Sequence, residues 1–95
     1  MKVRFYATLR DIVGARTVEI PLEQGISAQV LFAEILGRYP LLHKELLDDS
    51  GRLYGHVHFF INGRDVQFTE QGWEGKIMPE DEIAIFPAVG GGANP

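Results

Sequence analysis

One long stretch of this chain, Ser27 to Tyr39, carries the apolar period of a helix, and the segments on either side of it alternate with a period of two. Leu31, Phe32, Ile35, Leu36 and Tyr39 fall on one helical stripe, with Gln29, Glu34, Gly37 and Arg38 opposite and Val30 unexplained. Ser27 is placed to cap the first turn with its hydroxyl, and Pro40 forbids helical geometry beyond Tyr39. Before it, Val3, Phe5 and Ala7 alternate with Lys2, Arg4 and Tyr6, and Arg16 to Ile20 alternates again through Val18 and Ile20. These two segments predict a hairpin with a loose loop over Thr8 to Ala15. One helix must therefore serve several strands, which confines the answer to a sheet with a single covered face.

The second half supplies the remaining strands. His56 to Ile61 alternates and ends at Asn62-Gly63, a pair that tolerates positive φ and favours a two-residue hairpin into Arg64 to Phe68. Leu41 to Gly55 reads as a loop with a short helical turn at Leu42 to Leu47, and Gln71 to Gly75 as an irregular crossing. Pro79-Glu80-Asp81 reads as a turn into a last strand, Glu82 to Phe86. The order strand, strand, helix, strand, strand, strand is that of an α+β β-grasp roll. It implies a mixed five-stranded sheet, one main helix, and the last strand beside the first. The expected core is Val3, Phe5, Val18, Ile20, Leu31, Ile35, Leu36, Phe59, Ile61, Ile83 and Ile85. In the last two long strands Phe60 and Phe86 then face outward, with Tyr6 near them, as an apolar patch of the kind that marks a partner site.

Composition removes several functions. Ninety-five residues make one domain, and the absence of cysteine rules out disulfides, a thiol nucleophile and a thiolate metal site. A net charge of −4 provides no basic stripe for nucleic acid. No apolar run is long enough to cross a bilayer, and Met1-Lys2-Val3-Arg4 opens directly into the first strand without a secretory signal, so a cytoplasmic protein is expected. His56 and His58 lie two apart, on one face of an expected strand, but lack a third ligand, so they read as surface histidines and no metal is expected. Asp48-Asp49 and Glu80-Asp81-Glu82 sit in turn contexts that use carboxylates for local hydrogen bonds. Ser27 and Ser50 have no histidine at a triad spacing, and the glycines near the end precede neither a lysine nor a helix, so they form no phosphate loop.

Those glycines are the chemical clue. Phe86-Pro87-Ala88-Val89 leads into Gly90-Gly91-Gly92 and then Ala93-Asn94-Pro95. Three residues without Cβ cannot build a core, and they suit a backbone that threads a narrow site on another protein. Residues 1–89 are expected to form the domain, and residues 90–95 a flexible glycine tail with a removable extension.

With Val3 to Arg10, Phe59 to Val66 and Glu80 to Val89 in this order, the chain resembles the ubiquitin-like sulfur carriers. That family includes the small subunit of molybdopterin synthase, the thiamin sulfur carrier and the carrier of thiocarboxylate-dependent cysteine synthesis. The resemblance implies a protein co-substrate rather than an enzyme. The carboxylate of the last glycine would be adenylated by an enzyme related to ubiquitin-activating enzymes, which uses the ATP, then converted to a thiocarboxylate by a sulfur donor and offered to an acceptor synthase. Gly91 and Gly92 match the terminal pair, Gly92 supplying the carboxylate, while Phe60, Phe86, Pro87 and Gly90 would meet partners. No permanently bound cofactor is implied. Ala93-Asn94-Pro95 departs from the family's working form, so trimming is expected, by a metalloprotease of the JAMM type as for some relatives made as precursors. The other reading is a β-grasp interaction module or ubiquitin-like modifier that transfers no sulfur.

Overall fold

A computed structural model describes residues 1–22 and 24–87. Strand β1 (Lys2–Phe5) pairs antiparallel with β2 (Thr17–Glu19) and parallel with β7 (Glu82–Phe86), which pairs antiparallel with β4 (His58–Ile61). Strand β4 pairs with β5 (Arg64–Asp65), so the main sheet has the order β2-β1-β7-β4-β5, with β7 at its centre. This is the expected mixed five-stranded β-grasp sheet, with the last strand beside the first.

Helix α2 (Ala28–Arg38) covers one face. The Val30 amide donates to the Ser27 hydroxyl at 3.1 Å, the capping bond anticipated from the sequence. Ala28, Leu31, Ile35 and Leu36 are buried, and Phe32 and Tyr39 pack against them. Val30 is 55% exposed, in keeping with its place off the apolar stripe. Val3, Phe5, Phe59, Ile83 and Ile85 come up from the strands to meet the helix, each at most 1% exposed. Val18 and Ile61, expected in the core, are half-buried at its margin, because each lies on a strand near an edge of the sheet.

Several expectations change. Thr8 to Ala15 is not a loose loop: Thr8–Val13 forms helix α1, which buries Leu9 and ends at Gly14 with φ 85°, where the Gly14 amide donates to the Arg10 carbonyl at 2.7 Å. Six residues are too few for periodicity to stand out, and packing rather than propensity holds them. His56 lies in a turn, so it and His58 do not share a strand face. The return strand stops at Asp65, whose carboxylate accepts from the Gln67 amide at 3.0 Å and turns the chain into 3-10 geometry over Val66–Phe68. A second small sheet joins β3 (Ile26–Ser27) to β6 (Lys76–Ile77), a pairing too short to read from alternation. The helical turn after Tyr39 is present as α3 (Leu42–Leu46), which buries Leu42 and Leu46.

Candidate functional site

The face of the sheet opposite α2 is set by alternation. Ile83 and Ile85 face the helix, so Ala84 and Phe86 face away. The register then brings Phe60 of β4 and Arg4 of β1 to either side of Ala84, the small residue on the central strand. A side chain of one carbon between two long ones leaves a depression of about 340 Å³, bounded also by Tyr6, Phe86, Gly63 and Glu82. Asn62 (φ 51°) and Gly63 (φ 84°) form the tight turn that holds Phe60 in this register, with Gly63 supplying a conformation that side chains resist.

The aromatic groups are ordered against each other. Tyr6 stacks on Phe86 with centroids 4.1 Å apart and planes 15° apart, and Phe60 meets Phe86 edge-on at 5.2 Å and 88°. All three are half-buried. His58, directly across the ladder from Phe86, stacks on Phe60 at 5.8 Å. Its Nδ1 lies 2.7 Å from Asp65, which is only 8% exposed. A carboxylate so enclosed needs polar partners, and the ring and the Gln67 amide provide them. At the far side of Tyr6, Arg10 donates through Nε to the Phe5 carbonyl at 3.1 Å and holds its guanidinium 5.4 Å from the Tyr6 ring centre.

The structure therefore gathers Phe60, Phe86 and Tyr6. Pro87 is buried at the end of β7 and does not join them on the surface. Gly90, Gly91 and Gly92 lie outside the described residues. Asp48 serves its turn, its carboxylate accepting from the Ser50 and Arg52 amides at 2.8 and 3.0 Å, and Asp81 accepts from the Met78 amide at 2.8 Å. Among the described residues no group of three or more His, Cys, Asp or Glu could hold a metal, and no helix is long and apolar enough to cross a membrane.

The pairing of His58 with Asp65 went unseen in the sequence. A signal was available: a two-residue turn at Asn62-Gly63 places Asp65 opposite Phe60, hence diagonal to His58 on the same face.

Known proteins share this fold. The chain is 29% identical over 92 residues to small archaeal modifier protein 1 of Haloferax volcanii, covering 97% of this chain and all of that one. The crystal structure of that protein superposes with a TM-score of 0.77 at 28% identity, covering 97% of this chain and 98% of the other. Mycobacterium tuberculosis CysO superposes with a TM-score of 0.72 at 25% identity, over 93% of this chain and 98% of its own. Small modifier proteins are thus among its relatives. Residues 3–92 match the ThiS family, and the chain belongs to that family of ubiquitin-like sulfur carriers and modifiers.

Proposed function

We propose that this protein is a sulfur carrier whose working group is the main-chain carboxylate of Gly92. The observation that carries the reading is the position of Phe86. It is the last residue of the central strand, six residues before Gly92, and it stacks on Tyr6 on the face of the sheet turned away from α2. An enzyme that seats this face aims the following residues into its own active site. The match to the ThiS family runs to Gly92, which supports the same end point.

In this reading an adenylating enzyme related to ubiquitin-activating enzymes docks on Tyr6, Phe60 and Phe86 and uses ATP to join AMP to the Gly92 carboxylate, releasing pyrophosphate. A sulfur donor then displaces AMP to give the thiocarboxylate, which an acceptor synthase consumes. The protein supplies no acid or base to these steps. It supplies a carboxylate on a stretch without side chains and the surface that delivers it. Ala93-Asn94-Pro95 blocks the first step through the peptide bond from Gly92, so a protease, of the JAMM metalloprotease class, must cut there first.

A modifier reading has support in the relatives named small archaeal modifier proteins. It shares the adenylation step and differs in the nucleophile, a lysine amine in place of sulfur, giving an isopeptide bond. The test is to compare a chain ending at Gly92 with one ending at Pro95 in adenylation, and then to weigh the intact product from its host. The shorter chain is expected to accept AMP and the longer one not to. A gain in mass equal to sulfur minus oxygen identifies the carrier, whereas Gly92 found only in isopeptide linkage identifies the modifier. Equal adenylation of both chains overturns the trimming step.

A further inference from the structure

The chain carries more acid than base, yet three of its nine Lys and Arg residues line one small cleft. Arg4, Arg10 and Arg16 surround about 230 Å³ of space at the end of the sheet where β1 finishes. Arg4 is exposed on β1, opposite Thr17. Arg16 is exposed just before β2, its carbonyl accepting from the Phe5 amide at 2.8 Å. Arg10 is fixed from behind by its bond to the Phe5 carbonyl, which leaves its two terminal nitrogens for another acceptor. The ion pairs among the described residues are Met1–Glu19, Glu34–Arg38 and His58–Asp65, so none neutralises this cluster. Three arginines around one space repel one another until an anion enters it.

Resting on the docking face proposed above, the geometry points to an acidic protein segment as the occupant of this cleft: aspartate or glutamate side chains of the enzyme that receives the chain's end. Tyr6 borders both the cleft and the aromatic depression, so the two form one continuous surface, apolar in the middle and basic at one end. A partner covering the aromatic face must also cover the arginines, and it gains by placing carboxylates there, which guanidinium forks bind in pairs. The other end of the depression carries Glu82 with Lys2 beside it, so the uncompensated positive charge gathers at the arginine end. Because β1 and β7 run parallel, the basic end is also the end at which β7 leads into Pro87 and the glycines. The arginines thus fix which way round the domain sits on its enzyme. A polyanion such as nucleic acid is disfavoured by the net charge of −4, whereas a few carboxylates beside an apolar pocket are not.

The experiment measures association of the Gly92-ending protein with the adenylating enzyme of its own host, over a range of salt, for the native chain, the double variant Arg4→Glu/Arg16→Glu, the milder Arg4→Gln/Arg16→Gln, and Phe60→Asp. Arg10 is left intact because of its bond to Phe5. The charge-reversed protein is expected to associate at least tenfold more slowly at low salt, within the range steering supplies, and to lose most of the salt dependence, with the glutamine variant in between. Unchanged association and salt dependence in both arginine variants, with binding lost in Phe60→Asp, overturns the cleft and leaves the aromatic face standing. The reverse pattern keeps the cleft and removes the aromatic face. Titration of the free protein with hexaglutamate, inorganic phosphate and AMP, followed by NMR, separates the sources of negative charge. Shifts at Arg4, Tyr6 and Arg16 with hexaglutamate are expected, and saturation by phosphate or AMP alone overturns the assignment to protein carboxylates.

Discussion

His58 and Asp65 face each other across the Asn62-Gly63 hairpin, with Nδ1 of the imidazole 2.7 Å from the carboxylate, and the same carboxylate accepts from the Gln67 amide at 3.0 Å. Asp65 therefore joins the aromatic face to the turn that ends β5. Asp65→Ala leaves both partners without an acceptor and is expected to cost about 1–3 kcal/mol, whereas Asp65→Asn keeps an oxygen for Gln67 and costs less. Urea denaturation of the two variants checks the order. An alanine variant as stable as the native protein refutes the bridging role.

The core beneath the site makes a larger claim on stability. Phe59 is 1% exposed, lies edge-on to Phe32 at 5.9 Å and packs against Trp73 at 5.1 Å, and Ile35 of α2, with no exposed surface, belongs to the same core. Phe59→Ala and Ile35→Ala are each expected to lower the unfolding free energy by about 2–5 kcal/mol through lost burial and the cavity left behind. Losses below the lower bound in chemical denaturation contradict the packing.

Phe60 points the other way. Phe60→Asp places a charge where a partner's apolar surface would lie, but opens no cavity in the core, since Phe60 faces away from α2. Because the new carboxylate lies directly opposite Asp65, the thermal midpoint is expected to fall modestly, while AMP transfer from the adenylating enzyme, measured where the variant is folded, falls severely. Native levels of adenylation in this variant remove the aromatic face from the mechanism.

Ala7, between β1 and α1, has φ 52° and ψ −131°, a conformation that suits glycine. Holding a Cβ there costs about 1–3 kcal/mol, and glycine's extra chain entropy costs about 0.5–1 kcal/mol, so relief of strain outweighs the entropy lost. Ala7→Gly is expected to stabilise the protein by about 1 kcal/mol, and Ala7→Val to destabilise it. A lower urea midpoint for Ala7→Gly reverses this account.

Alternation and one helical stripe carried the strands of the main sheet, the face each long strand buries, and α2, because each long strand has one face in water and one on the helix. Ser27 marked the helix start for the same reason a cap exists, an orphan amide needing an oxygen. Helix α1 and the two-residue strands β3 and β6 were not legible, since their order comes from contacts distant in sequence. The outward placement of Phe60 and Phe86 was readable from strand parity alone. The arginine cleft was not, because Arg4, Arg10 and Arg16 come from a strand, a helix and a loop end that only the fold brings together.

The parallel pairing of β1 with β7 has a consequence for how the protein is made. Phe5 lies opposite Ile85, so the first strand to leave the ribosome must wait for nearly the last, on the order of ten seconds at ordinary rates of translation. Until β7 emerges, the sheet lacks its centre, and Tyr6, Phe60 and the arginines have no common surface. A chain that ends before β7 thus lacks both the glycines and the surface that would present them, and in the carrier reading it could not compete for the adenylating enzyme.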